Sequence, residues 1–340
     1  MAEQGKGMSD LWRRLRFVFV AILVYRLGTH IPIPGIDPDR LSSLFEQNQG
    51  TLLDMFNLFS GGALERMSIF ALNVVPYISS AIIMQLFSNS IPYLQELKKD
   101  GQAGRNQITQ YTRYGTVVLA FIQASALAVT LSGSGLAYTP GAAFFASAVF
   151  SVVAGTVFLM WLGEQISERG IGNGISLIIA TSILTGIPGA IGQALEQSRQ
   201  GDLNILLLLA IALLAMAVIA VVVFIERGQR RITVNYAQRQ QGRKLMQAQS
   251  SHLPFKVNMA GVIPAIFAST FLLFPASLAS WFGQSEGTNF LQTASLALTP
   301  GQPLYILVFS ALIISFCFIW LALTFNTREV SDNLKRSGAY

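Results

Sequence analysis

The chain has 340 residues, 52% of them hydrophobic and 12% charged, with a formal net charge of +6 and a mean hydropathy of +0.51. Soluble domains carry about a quarter of their residues as charges, so this composition excludes a water-soluble globular fold and points to a polytopic membrane protein. Two histidines and a single cysteine, Cys317, leave no soft-metal ligand set and no intramolecular disulfide.

In chain order, Arg13-Arg14-Leu15-Arg16 precedes an apolar run from Phe17. No small-residue cleavage site follows, so the run reads as a retained first span rather than a signal peptide. Charge-free stretches then cover 67–95, 114–163, 170–195, 203–225, 257–285 and 287–327, whereas one helical span needs about 20 residues. The 114–163 stretch therefore holds two spans. Its break runs from Ser132-Gly133-Ser134-Gly135 through Thr139-Pro140-Gly141, turn formers that end a helix in hydrocarbon. Eight passes result. With the N-terminus inside, only Arg26, Arg40, Arg66 and Arg199 of the 23 Lys and Arg fall in the first span or on the far side. The positive-inside rule then predicts that both ends are cytoplasmic.

Between the first two spans, Ile31-Pro32-Ile33-Pro34-Gly35 ends the first helix, and Phe59-Ser60-Gly61-Gly62 leads through Ala63-Leu64-Glu65-Arg66-Met67 into the second. This piece is too short to cross a bilayer. Ser60 is placed to cap a stub helix, and the two glycines to give it a hinge. Two arrangements satisfy such a stub: a movable stopper inside a conduit, or an interfacial helix on the outer face.

The second and seventh spans share a motif. Asn73-Val74-Val75-Pro76-Tyr77-Ile78 returns as Gly261-Val262-Ile263-Pro264-Ala265-Ile266. A proline inside an apolar run predicts a bent helix whose freed carbonyl needs protein or water. Spans of opposite direction that share such a feature fit inverted repeats around a midplane site. A step from second to seventh gives five helices per half, so ten are expected. The first half is 1–195 and the second, 196–340, lacks two C-terminal helices. The alternative is a complete eight-span protein whose prolines match by chance. Val74 and Ile78 share one helix face, Ile266 holds the place of Ile78, and Ile179 is a further candidate. Branched aliphatics meeting at a constriction exclude water and strip ions of their hydration; the alternative for each is ordinary lipid-facing or helix-packing isoleucine.

The longest cytoplasmic loop lies between Glu226 and Lys256. It carries Arg227, Arg230, Arg231, Arg239, Arg243, Lys244 and Lys256, with no acid after Glu226. Its alternation of apolar and polar residues before a glycine-containing turn predicts a hairpin. Such a charge set suits an RNA or acidic-protein partner; enforcing topology or attracting anionic lipid is the other reading. Catalytic chemistry is missing. Neither His30 nor His252 sits in an H-E-x-x-H motif, and Gly101-Gln102-Ala103-Gly104-Arg105 lacks the Lys-Ser/Thr of a phosphate-binding loop. No cofactor is expected, the protein is not read as an enzyme, and a partner must supply energy. A secondary transporter would keep charged coupling residues in its core, and Arg26, one turn from a helix end, reads as a snorkelling side chain.

Five segments resemble, in order, those of the SecY family of protein-conducting channels. They are Ile31-Pro32-Ile33-Pro34-Gly35-Ile36-Asp37, Phe59-Ser60-Gly61-Gly62-Ala63-Leu64, Tyr111-Thr112-Arg113-Tyr114-Gly115, Glu168-Arg169-Gly170-Ile171-Gly172-Asn173-Gly174-Ile175-Ser176 and Asn258-Met259-Ala260-Gly261-Val262-Ile263-Pro264-Ala265-Ile266. The likeness is nearest to proteobacterial inner-membrane members. The resemblance implies an all-α inverted-repeat bundle, eight of its ten helices present, passing unfolded polypeptides and releasing membrane segments sideways. It also implies a pore ring of Val74, Ile78, Ile179 and Ile266, a plug over 59–67, and a lateral gate of the second and third spans against the seventh and eighth. Gln85 and Asn258 are the candidate gate-lining groups. Arg230, Arg231, Arg239, Arg243 and Lys244 are the docking candidates. The implied partners are SecE and SecG, the SecA motor, the ribosome with its RNA and nascent chain, the signal recognition particle receptor, YidC and SecDF, and the lipid bilayer.

Overall fold

A computed structural model describes residues 2–37, 40–41, 57, 60–133, 135–139, 141–201, 204–235, 240–241, 244–245, 250–269, 271–272, 302–325 and 327–336. Its helices are α1 (Ala2–Gly28), α2 (Val75–Ser90), α3 (Pro92–Lys99), α4 (Gln102–Gly133), α5 (Ala142–Arg169), α6 (Gly174–Gln200), α7 (Ile205–Arg227), α8 (Pro303–Thr324) and α9 (Thr327–Arg336). Residues 263–269 and 271–272 are also helical. Among the described residues, α4, α5, α6, α7 and α8 are long and apolar enough to cross a membrane. The predicted break between the third and fourth spans falls where α4 ends and α5 begins. Two compact units divide the chain, one of Met1–Gln193 with Leu272–Ile306 and one of Ala194–Phe271 with Leu307–Tyr340.

In the first unit, α5 packs along α4, α2 against α4, and α1 against α5. The inward face of α4 is Thr112, Thr116, Ala120, Ala124 and Ala128, small residues one turn apart that let neighbouring backbones close in. Gly155 of α5 does the same for the incoming chain. A Cβ there would collide with the Ile69 carbonyl. Residues 31–33 run antiparallel to 67–69, with Ile33 N donating to Met67 O at 2.8 Å and Ile69 N to Ile31 O at 3.0 Å. The turn between α5 and α6 is fixed by Ser167 Oγ, which accepts from Gly174 N at 2.8 Å.

The prolines act differently from the sequence expectation. Pro76 lies in the first turn of α2, and Pro264 follows directly on Ile263, where helix resumes. In a first turn the proline nitrogen has no intrahelical partner to lose, so it starts a helix rather than bending one. The charge-free stretch from 67 hides an irregular entry: residues 69–74 are successive turns, closed by Ala71 N to Ser68 O, Asn73 N to Phe70 O and Val75 N to Leu72 O. The repeat nevertheless extends to conformation. Asn73 and Gly261 hold the same place in their copies and both are left-handed, at φ 50° and 63°. After each comes the same bond, Ile78 N to Val74 O and Ile266 N to Val262 O.

In the second unit α7 leads into the predicted hairpin. Strand β1 (Gln229–Asn235) pairs antiparallel with β4 (Ser250–Lys256), in register from Gln229 opposite Lys256 to Asn235 opposite Ser250. Within it, β2 (Gln240–Gln241) pairs with β3 (Lys244–Leu245). Edge-on rings tie the hairpin base and the 263–269 helix to α8 and the residue that follows it: Phe255 to Phe325 at 5.5 Å, and Phe267 to Phe316 and Trp320 at 5.7 and 5.6 Å. Gly261 needs no Cβ room, since nothing lies within 4 Å, so its positive φ alone decides what it tolerates. We expect Gly261→Ala to lower stability by about 1 kcal/mol and Gly261→Asn to be nearly neutral. Pro264→Ala should change it by under about 1 kcal/mol, whereas replacing a mid-helix proline would stabilise by about 3 kcal/mol. Thermal unfolding in detergent, followed by circular dichroism, checks all three.

Candidate functional site

Ser60 is helical, and residues 61–67 are turns and bends rather than a helix. Ser60 does cap, but only one turn: its Oγ accepts from Leu64 N at 3.1 Å and donates to Asn57 O at 2.9 Å. A helix cannot continue, because Gly61 and Gly62 are left-handed at φ 67° and 79°. Gly61 is also a close approach. A Cβ there would stand 3.0 Å from both Ser182 Cα and Thr185 Oγ1 on α6.

Two consecutive carbonyls of this segment are held by two consecutive residues of α1. Tyr25 Oη reaches Ser60 O at 3.3 Å, and Arg26 Nη1 donates to Gly61 O at 3.2 Å. Arg26 is therefore half-buried and engaged, which corrects its reading as a snorkelling side chain: a carbonyl left bare by the glycine turn competes with water for its guanidinium. Behind Tyr25, its Oη meets Ser182 Oγ at 2.5 Å, and Asn73 Nδ2 donates to the same Oγ at 3.0 Å. At the segment's exposed end, Arg66 Nη1 meets His30 Nε2 at 2.6 Å, while His30 Nδ1 lies 2.9 Å from Arg26 O. A guanidinium only donates, so Nε2 accepts and Nδ1 carries the proton.

Apolar side chains of the segment enter two buried clusters. Leu64 and Met67 pack with Ile33, Leu72, Phe144 and Val152. Ala63, fully buried, packs with Tyr25, Phe70, Val74, Leu159 and Ile178, and Ile78 and Ile179 pack against that same cluster. Three of the four ring candidates thus stand in one cluster with the middle of the stub. Ile266 belongs to the second unit, where it is half-buried. Phe59 lies outside the described residues, and Glu65 and Arg66 are exposed.

Of the remaining candidates, Gln85 is half-buried on α2. Asn258 caps the entry to the 263–269 helix: its Oδ1 accepts from Gly261 N at 3.1 Å, and its Nδ2 donates to Glu226 Oε1 at 2.8 Å. Arg230 and Arg231 are exposed on β1, opposite Phe255 and Pro254. The backbone of Lys244 pairs with Gln241, and Arg239 and Arg243 lie outside the described residues. Sequence reasoning missed Tyr25, Asn73 and Ser182. One signal for Asn73 was its alignment with a glycine in the repeat; a lone tyrosine or serine in an apolar span carries none.

The SecY family model matches residues 68–340. The protein translocase subunit SecY of Pseudomonas aeruginosa is 61% identical over all of this chain and 78% of its own length. That of Buchnera aphidicola from Acyrthosiphon kondoi is 60% identical, covering 98% of this chain and 95% of the relative. The Escherichia coli K12 protein is 59% identical, covering 98% and 76%. In fold, the chain is similar to a solved structure described as a protein conducting channel, with a TM-score of 0.66 at 16% identity over 97% of this chain and 77% of that one. It is also similar to Sec61 in a canine ribosome-channel complex, with a TM-score of 0.55 at 18% identity over 80% and 60%. On these matches the chain belongs to the SecY family.

Proposed function

We propose that this chain is the pore-forming subunit of a bacterial inner-membrane channel, passing unfolded secretory polypeptides across the bilayer and releasing transmembrane segments sideways into lipid. The observation that carries the reading is the seat of Ala63 in one buried cluster with Val74, Ile78 and Ile179. A stopper resting on branched aliphatics is what a polypeptide pore requires. Such a surface offers no hydrogen bonds, so water and ions gain nothing by entering, and it adapts to any side chain that passes. In this reading Ile266, which holds the place of Ile78 in the repeat, is the fourth ring residue, and residues 59–67 are the plug.

In the same reading α2, α4, the 263–269 helix and α8 are the lateral-gate helices, as the family likeness implies, with Gln85 a gate-lining group. Asn258 acts there through the helix entry it caps. Both chain ends are cytoplasmic, as the lysines and arginines demand, so the β1–β4 hairpin faces the cytoplasm. Its cations, Arg230, Arg231, Arg239, Arg243 and Lys244, dock the ribosome, the SecA motor and the targeting receptor. SecE and SecG are the membrane partners, and YidC and SecDF join at the periphery. Energy comes from these partners, since the chain carries no nucleotide motif.

Two experiments test this. A photo-crosslinking residue at Ile78 or Ile266 should form adducts with a stalled, ribosome-bound nascent chain in membranes, and one at outward-facing Phe224, 80% exposed, should not. Equal labelling at all three, or none at the ring, overturns the pore. Separately, Arg230→Glu with Arg231→Glu should weaken ribosome co-sedimentation at low salt, and the slope of log affinity against log salt should fall by about 1 for each phosphate that is no longer neutralised. An unchanged slope removes these two arginines from the docking surface.

A further inference from the structure

Tyr25, Asn73 and Ser182 come from α1, the 68–74 turns and α6, yet their polar atoms converge, and all three are buried to 2% exposure or less. Apolar side chains would join these elements as well or better, because each buried polar group must be fully partnered to avoid a penalty. The trio is organised around one backbone atom. Asn73 Nδ2 donates to Ser182 Oγ, which lies 2.5 Å from Tyr25 Oη, which reaches the Ser60 carbonyl at 3.3 Å.

Each hydroxyl has one proton, which allows two arrangements of the same atoms. In the first, Ser182 donates to Tyr25 and Tyr25 donates to Ser60 O, so the segment is held. In the second, Ser182 donates to Ile178 O, 2.9 Å away, Tyr25 turns its proton to Ser182, and Ser60 O is released. Asn73 keeps donating to Ser182 in both. Departure of the 60–67 segment therefore leaves no buried donor stranded, and the freed carbonyl can go to water. A hydrogen bond also fails within a short displacement, whereas apolar contact fades gradually.

We infer that Tyr25, Ser182 and Asn73 are positioning residues that latch the plug. Resting on the reading of 60–67 as the stopper, they set how apolar a signal segment must be before it opens the channel. A ligand shifts such an equilibrium only by its differential affinity for the open state, so a weaker latch lets a weaker signal suffice.

The test uses the chain assembled with its membrane partners in inverted vesicles, comparing wild type with Tyr25→Phe and Ser182→Ala. Tyr25→Phe keeps the ring that stacks on Phe70 at 6.0 Å and removes only the hydroxyl. The first readout is the import ratio of a precursor with a shortened apolar signal to one with the full signal. The second is maleimide labelling of Ala63→Cys in a Cys317→Ser background. Loss of about one hydrogen bond should raise both by about three- to tenfold. A merely structural role lowers the two imports together and leaves their ratio unmoved. Import with an unmoved ratio and unmoved labelling in both variants overturns the latch and leaves the channel standing. Wild-type vesicles that import neither precursor count against the channel, and the labelling arm then judges by itself whether the trio holds the segment.

Discussion

Chain that is not helical within an apolar span must find partners for every peptide group, because lipid offers none. Residues 61–74 face this constraint over fourteen positions, and the first unit is arranged around meeting it. The 31–33 segment lends its N–H and C=O groups to 67–69, α1 supplies Tyr25 and Arg26 to the carbonyls of Ser60 and Gly61, and short turns close the remainder. Surrounding helices can come close enough to exclude lipid only because their facing residues are small, as at Gly155. Remove that shielding and the irregular chain has no reason to stay where it is.

The repeat has a physical meaning beyond its letters. A left-handed residue turns the chain, a valine carbonyl begins the ladder, and a proline at the second helical position presets φ without losing a bond. Asn73 and Gly261 satisfy the left-handed position by different means, asparagine tolerating it and glycine being free in it. The choice has consequences. Gly261 leaves its turn to be held by Asn258, whereas Asn73 brings an amide that reaches Ser182 and ties the turn to α6. One copy of the motif thus gained a buried polar contact that the other lacks.

What could be read from the chain alone was whatever is decided locally. The break at 132–141 and the strands 229–235 and 250–256 announce themselves through turn formers and alternation, which need no distant partner. The stub was found because its glycines and charges interrupt an apolar pattern. Its form was misjudged, since a serine followed by two glycines caps a single turn as readily as a helix. Absence of charge from 67 onward concealed six turn residues before α2, because hydropathy registers polarity and not backbone shape. Arg26 was legible as an anomaly but not as a contact, since the carbonyl it serves lies 35 residues away. Ring candidates were legible only through the repeat and the family likeness; a single isoleucine in an apolar span says nothing about which way it faces.

In the reading proposed above, a stopper must hold tightly enough to seal and loosely enough to leave, and the composition of the 60–67 segment suits that balance. Its buried apolar groups are few, Ala63, Leu64 and Met67, while Glu65 and Arg66 stay exposed. Burial at about 25 cal/mol per Å² of apolar area gives such a segment a few kcal/mol of hold, and each hydrogen bond adds about 1 kcal/mol. Moving an equilibrium from 1:99 to 99:1 takes about 5.5 kcal/mol of differential binding. An apolar signal helix moving from water into lipid and protein can supply that amount, since each fully buried large side chain contributes about 1.5–3 kcal/mol. Larger or more numerous apolar residues in the stub would outweigh any signal. Charged ones at Ala63 would desolvate against valine and isoleucine and never seat. In that proposed reading, the modest size of the segment's buried face is what lets a passing sequence decide whether the channel opens.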